Sequence, residues 1–268
     1  MTHPLVTAFV ITCNRKESLA RALRSLLASD YSELELLVVD NGSSDGTVEL
    51  LARDFPQVRV IRNAANLGTC VAHNQGVKAA QGAYVIRVDD DVALAPDCLS
   101  TLVNVMEQDE TIGLSGPKLY LGASETLWCA GGAIDWRNLD TVTLGEGEAD
   151  RGQYDTTREV DYIGCCMFVR RSVYDAIGLI DERFFIYFED VDFNVRVHRH
   201  GSKVVYVPSA KGYHHIARRK SSLRSVWRFN RNRFVFFRRY MPAPAFAAAL
   251  VRFAFLRLPE RALERLRG

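Results

Sequence analysis

Apolar positions recur along the first third of the chain in two alternating rhythms. Apolar-rich runs at residues 5–11, 34–39, 58–61 and 84–88 have the length and β-branched content of buried strands. Between them lie stretches with a single apolar stripe: 17–28, where Leu19, Leu23, Leu26 and Leu27 share one helix face, then 47–53, and 69–80 with Gly82 beyond its end. Strand and helix in alternation, with the strands apolar on both sides, predict an α/β fold whose parallel sheet is covered by helices on both faces. A helix over 96–107 and a strand over 112–117 continue the pattern, so residues 1–118 read as a Rossmann-like half.

The rhythm then breaks. Residues 119–160 carry short alternating segments and glycines such as Gly122, Gly131, Gly132, Gly145 and Gly147, which predict antiparallel strands and loops over a rigid sheet, where substrate specificity tends to sit. Helices over 172–177 and 190–200, the second closed by Gly201, and a strand over 203–207 complete a body of residues 1–217, with 119–217 as its second half. Residues 218–268 form a basic tail of two or three helical pieces broken by Pro242, Pro244 and Pro259.

Composition narrows the class. With 48% hydrophobic and 25% charged residues, the 268-residue chain can bury a full core, which argues against a disordered or fibrous protein. The net charge of +2 hides an asymmetry: the tail holds 14 Lys and Arg against Glu260 and Glu264, leaving 20 basic against 30 acidic residues before it. A basic tail on an acidic body points to an anionic surface as partner. Six cysteines without regular spacing suit a reducing cytosol. No Lys or Arg precedes the first apolar run as in a secretory signal, and the tail's longest apolar stretch, 243–251, falls short of the ~20 residues that span a bilayer. The expected place is cytoplasmic, with peripheral contact at the inner face of the cell membrane as one role for the tail.

In an open sheet of this kind, ligands bind beyond the carboxyl ends of the strands. Those ends carry Thr12, Cys13, Asn14 and Arg15, then Asp40, Asn41 and Gly42, then residues 63–68, then Asp89, Asp90 and Asp91. Neither G-x-G-x-x-G nor G-x-x-x-x-G-K-[ST] is present, so a phosphate would need another partner. Asp89 and Asp91, two apart in extended backbone, converge while Asp90 points elsewhere, and two hard carboxylates suit Mg²⁺ or Mn²⁺ bridging a diphosphate. An acidic turn ahead of the next helix is the plainer reading. Asp40 is either an Asx-turn residue or the acceptor for a nucleobase N–H, with Thr12 and Asn14 close to the base or ribose. Glu189 and Asp190 follow a run of aromatic and apolar residues, 184–188, in which a half-dry carboxylate can serve as a general base; the plainer reading is acidic charge at a helix N-terminus. Asp192 and Arg196 read as a surface or supporting ion pair. His214 and His215 follow a strand and offer a further metal ligand, whereas adjacent Cys165 and Cys166 lack the C-x-x-C spacing of a zinc site.

Taken in order from about residue 5 to 215, these segments resemble glycosyltransferase family 2, the inverting GT-A enzymes, within its rhamnosyltransferase-like branch. The carriers of the resemblance are Phe9 to Arg15, Val38 to Thr47, Asn66-Leu67-Gly68 with Asn74-Gln75-Gly76, the aspartate run at 89–91, and Asp181 to Asp192. The resemblance implies a GT-A fold and nucleotide or donor contacts at Thr12, Asn14, Arg15, Asp40, Asn66, Asn74 and Asp90. It implies a metal-binding D-x-D at Asp89 and Asp91, completed in some relatives by His214, and a base within the 189–190 pair, placed at Asp190 with Glu189 as rival. It also implies a dTDP-, UDP- or GDP-sugar donor, a glycan or lipid-linked acceptor, a Mg or Mn cation, and a place in cell-surface polysaccharide synthesis. His73 and Cys13 depart from residues frequent in the family. The tail, whose aromatics interleave with arginines, either lies on an anionic membrane or packs on the body or on a second copy in a homodimer. No nucleic-acid partner is expected; the alternatives are an RNA-binding module that uses the basic, aromatic tail and a sugar-nucleotide nucleotidyltransferase, the latter without its Gly-rich loop after the first strand.

Overall fold

Strand β1 (Val6–Thr12) is buried on both sides: Val6, Ala8 and Val10 join one apolar cluster and Phe9 the opposite one. Such a strand belongs inside a sheet. In the computed structural model, which describes residues 3–215 and 222–257, it pairs in parallel with β2 (Leu34–Asp40) and β4 (Tyr84–Asp89), and β3 (Arg59–Arg62) closes that edge. Leu19, Leu23 and Leu26 of α1 (Lys16–Leu27) and Leu51 of α2 (Thr47–Asp54) cover one face together with Leu99, Leu102 and Met106 of α4 (Cys98–Gln108). Cys70 and Val77 of α3 (Thr69–Ala79) cover the other.

Beyond β4 the sheet becomes mixed. Strand β6 (Ile112–Leu121) is separated from β4 by the three-residue β11 (Phe168–Arg170), antiparallel to both. Strand β12 (Lys203–His214) runs parallel to β6, and β10 (Arg158–Glu159) lies outside it, giving the order β10-β12-β6-β11-β4-β1-β2-β3. Two short strands, β5 (Val92–Leu94) on β12 and β7 (Leu127–Cys129) on β6, and the hairpin of β8 (Gly132–Asp135) and β9 (Asp140–Thr143) complete the strand set among the described residues. Strand β12 extends seven residues past the 203–207 run because register shifts absorb its Pro208 and Ser209, which disguise the pattern. That extension places His214 at the strand's end.

Helices α5 (Arg171–Ile177) and α6 (Glu189–Arg199) flank a single 3₁₀ turn at Glu182–Phe184. Helix α7 (Leu223–Tyr240) lies against the body: Phe236 and Phe237 are fully buried beside Phe188 and Trp136, and Arg239 and Tyr240 reach Asp192 of α6. Asp192 is thereby fully buried, so its pair with Arg196 (3.1 Å) is not a surface one. Pro242 precedes α8 (Ala243–Arg252) and Pro244 sits in its first turn, where a missing N–H costs nothing, so Pro244 starts a helix and does not break one. The break at Pro259 lies outside the described residues. No helix among the described residues is long and apolar enough to cross a membrane.

Candidate active site

The carboxyl ends of β1 and β4 open onto one cavity of about 940 Å³. Asp89 ends β4, and Asp90 and Asp91 form the turn into β5, so the alternation of extended backbone does not govern them. All three line the cavity, but Asp89 leans toward Arg87 (3.4 Å) while its two neighbours share Arg15. Arg15 reaches Asp90 at 3.0 Å and Asp91 at 2.7 Å, Thr12 Oγ1 donates to Asp90 (2.9 Å), and His214 Nε2 lies 3.0 Å from Asp91. Burial pushes the Asp90 carboxyl up to about 7 despite Arg15 and Thr12. Burial acts upward on Asp91 too, but the bonds from His214 and Arg15 outweigh it and bring it down to about 2. Trp128 meets the His214 ring edge-on, 4.9 Å between centroids, and fixes its plane.

Asn14 has φ of 55°, a left-handed conformation that asparagine tolerates, and it clips the loop at 43–44: its N–H donates to Ser43 Oγ and its Oδ1 accepts from the Ser44 N–H (2.8 Å). Asp40 is fully buried and does not line the cavity. One of its oxygens accepts from the Ser43 N–H (3.0 Å) and the other has no hydrogen bond. Asn66 lines the cavity with Asn41, which the sequence reading did not select as a contact residue. Asn74 is placed elsewhere: its amide donates to the Ile180 carbonyl and to Glu182 and accepts from the Ile180 N–H, tying α3 to the segment before α6. Both ends of its side chain are consumed, and it does not line the cavity.

Glu189 and Asp190 open α6 and line the same cavity. The backbone reaches them through a tight turn at Phe185 (φ 65°, ψ −52°), closed by the Ile186 N–H on the Phe184 carbonyl, and through left-handed Tyr187 and Phe188. Non-glycine residues in such regions cost about 1–3 kcal/mol each. The Phe185 ring rests on Gly68, where an added methyl carbon would lie 2.5 Å from it, so only glycine admits this contact. Glu189 is buried, with one oxygen 3.6 Å from Arg87 and the other without a hydrogen bond; Asp190 accepts from the Val191 N–H (2.8 Å). Burial, and for Glu189 repulsion by Asp190, raises both carboxyls above the ordinary range against the pull of Arg87.

Arg87 was not selected from the sequence either. It lies inside β4, 5% exposed, and donates to the Gly164 carbonyl (3.2 Å), while its Nε and Nη1 face Asp89 and Glu189 without a hydrogen bond. Its signal was a lone cation in an otherwise apolar run. The side wall is made by Trp128, Thr141, Thr143 and Tyr162. Among the described residues no three His, Cys, Asp or Glu side chains form a ready metal group.

A family model, Glycosyl transferase family 2, matches residues 7–178, from β1 through α5. The chain belongs to glycosyl transferase family 2. The match spans the strand ends around the cavity, and it makes this chain a glycosyltransferase rather than an RNA-binding module or a nucleotidyltransferase. The glycosyltransferase is 30% identical over 233 residues to N-acetylglucosaminyl-diphospho-decaprenol L-rhamnosyltransferase of Mycobacterium tuberculosis, covering 77% of this chain and 75% of the relative. Its fold is the GT-A arrangement. It aligns with GalNAc-T7 solved with UDP, GalNAc and Mn²⁺ at a TM-score of 0.65 and 19% identity, over 80% of this chain and 44% of that one. It aligns with the mannosyltransferase PcManGT of Pyrobaculum calidifontis, solved with GDP-Man and Mn²⁺, at 0.62 and 16% identity, over 95% and 88%.

Proposed function

We propose that this glycosyltransferase moves a sugar from a nucleoside diphosphate to a hydroxyl of a glycan or lipid-linked acceptor, with inversion and with a divalent cation. The mycobacterial relative supports L-rhamnose as the sugar and cell-surface polysaccharide as the destination. One observation carries the reading: two acidic groups, Asp89 to Asp91 and Glu189 with Asp190, line a single cavity, with Arg87 between Asp89 and Glu189.

The residues present fit a cation. His214 Nε2 and Asp91 Oδ1 are 3.0 Å apart. Neighbouring ligands of an octahedral ion with bonds of ~2.1 Å are separated by ~3.0 Å, so these two atoms are spaced to share one ion, and Asp89, which leans to Arg87, would have to turn to add a third ligand. Bound there, Mg²⁺ or Mn²⁺ would neutralise charge on the departing diphosphate. Arg15 adds a guanidinium at the same rim, and Thr12, Asn14 and Asn66 offer hydrogen bonds to the nucleotide. Asp40, fully buried behind the cavity, shapes the 40–43 turn and offers no hydrogen bond to a nucleobase. Asp190 takes the proton of the acceptor hydroxyl as it attacks, and Arg87 offsets the charge of its buried partner Glu189. One proton acceptor and one direct displacement give inversion. The exposed Leu223 and Trp227, beside Arg224 and Arg228 on α7, support contact with an anionic membrane that presents the acceptor.

The test is incubation with UDP-, GDP- and dTDP-sugars in Mn²⁺, Mg²⁺ or EDTA, reading released nucleotide and, by NMR, the anomeric configuration of the product. Release that needs the cation and an inverted product are expected. Undiminished turnover in EDTA removes the cation from the mechanism, and a retained configuration removes the single base.

A further inference from the structure

Residues 184–188 approach α6 in a conformation their own side chains oppose, because Phe185, Tyr187 and Phe188 have φ of 65°, 74° and 66° and none is glycine. Contacts from outside the segment must hold it. Asn232, fully buried in the middle of α7, donates from its amide nitrogen to the carbonyls of Phe184 (2.8 Å), Ile186 (2.8 Å) and Tyr187 (3.0 Å). Those three acceptors belong to the strained stretch and lie more than forty residues away in sequence. The same helix adds Arg228 over the Phe185 ring at 4.0 Å and Phe229 edge-on to Tyr187 at 5.6 Å. The family match ends at residue 178, so this buttress lies outside the matched stretch.

We infer that Asn232 is a positioning residue for sugar transfer, holding 184–188 in the positive-φ turn that directs the first turn of α6 into the cavity. A primary amide suits the task because it turns two N–H bonds toward several carbonyls at once, where a carboxylate would repel them and an alkyl group would leave them unpaired. The inference rests on the reading that an acid of the 189–190 pair takes the acceptor proton.

The experiment uses full-length Asn232→Asp, which preserves shape and removes the donors. Hydrogen exchange is expected to quicken in 184–190 while peptides of α7 and β4 keep their protection. With the nucleotide sugar that the wild-type protein turns over, kcat falls about 10- to 100-fold and the donor KM stays within about twofold, the pattern of a displaced reacting group. Should Asn232→Asp not fold, Asn232→Ser keeps one donor and is expected to show the same split at smaller size. Glycine adopts positive φ freely, so Asn232→Asp should cost less in a Tyr187→Gly background than alone. Unchanged exchange and kcat in a folded Asn232→Asp, or losses that simply multiply with Tyr187→Gly, overturn the inference. Normal turnover of Asp190→Asn beside a slow Asn232→Asp would sink the base assignment and leave the buttress standing.

Discussion

Two acidic groups line the cavity, and the arginines beside them hold them differently. At the β4 end, Arg15 makes close contacts of 3.0 and 2.7 Å, Thr12 and His214 add hydrogen bonds, and Asp91 is held at about 2, ionised and oriented. At the start of α6, Arg87 stands 3.6 Å from Glu189 without a hydrogen bond, one glutamate oxygen is left bare, and both carboxyls are shifted upward. On the proposed reading Asp91 serves the cation and the second group takes the proton, and the same carboxyl chemistry is set apart at these two places by how completely the neighbours satisfy it.

The largest effect should come from Asp190→Asn, with kcat reduced ~10²–10⁴-fold and nucleotide affinity kept, since a general base supplies about that factor. Near-normal turnover would break the contrast between the two groups. Next, Arg87→Met removes the cation that opposes the rise of Glu189 and Asp190. The acid limb of kcat/KM, which should already lie above the ordinary carboxylate range of ~4, then moves to higher pH, and activity at any pH below the limb falls about tenfold for each unit the limb moves. A profile between pH 5 and 9 that keeps its limb takes Arg87 out of the electrostatics. Arg15→Met should leave that limb in place and raise the donor KM roughly tenfold, the loss of one charged hydrogen-bonding partner. A moved limb with an unchanged KM would reverse the two roles.

The smallest effect concerns Thr12→Val, which removes a single bond to Asp90 and should cost about 0.5–1.5 kcal/mol at pH 8. Because Asp90 is raised to about 7, the folded protein holds this proton more tightly than the unfolded chain does. Its contribution is therefore fully present below pH ~4 and is lost as pH rises toward 7. The Thr12→Val deficit, read by denaturant titration, should shrink at pH 5, where Asp90 is neutral and accepts a weaker bond. A deficit independent of pH would show that Asp90 ionises in its ordinary range.

What could be read from the sequence followed burial. Strands β1, β2 and β4 and the stripe of α1 were legible because continuous or periodic burial writes itself into residue order, and residues 89–91 stood out because they follow such a strand. Strands β5 and β11 were not legible, since three residues carry no period. Arg87 and Asn232 were missed for another reason: each gains meaning only from partners far off in the chain, Glu189 for one and the carbonyls of 184–187 for the other. Asn74 errs in the opposite direction, a polar residue in a matching motif whose amide is spent on Ile180 and Glu182.

Strand β11 has a mechanical consequence. Three residues from the later half of the chain are laced between β4 and β6, so the strands of residues 1–118 and those that follow share one continuous hydrogen-bonded fabric. Neither portion can swing as a rigid jaw without tearing that lacing. Accommodation of differently sized sugars is thereby delegated to the loops around the rim, and heating should melt both portions in a single cooperative step.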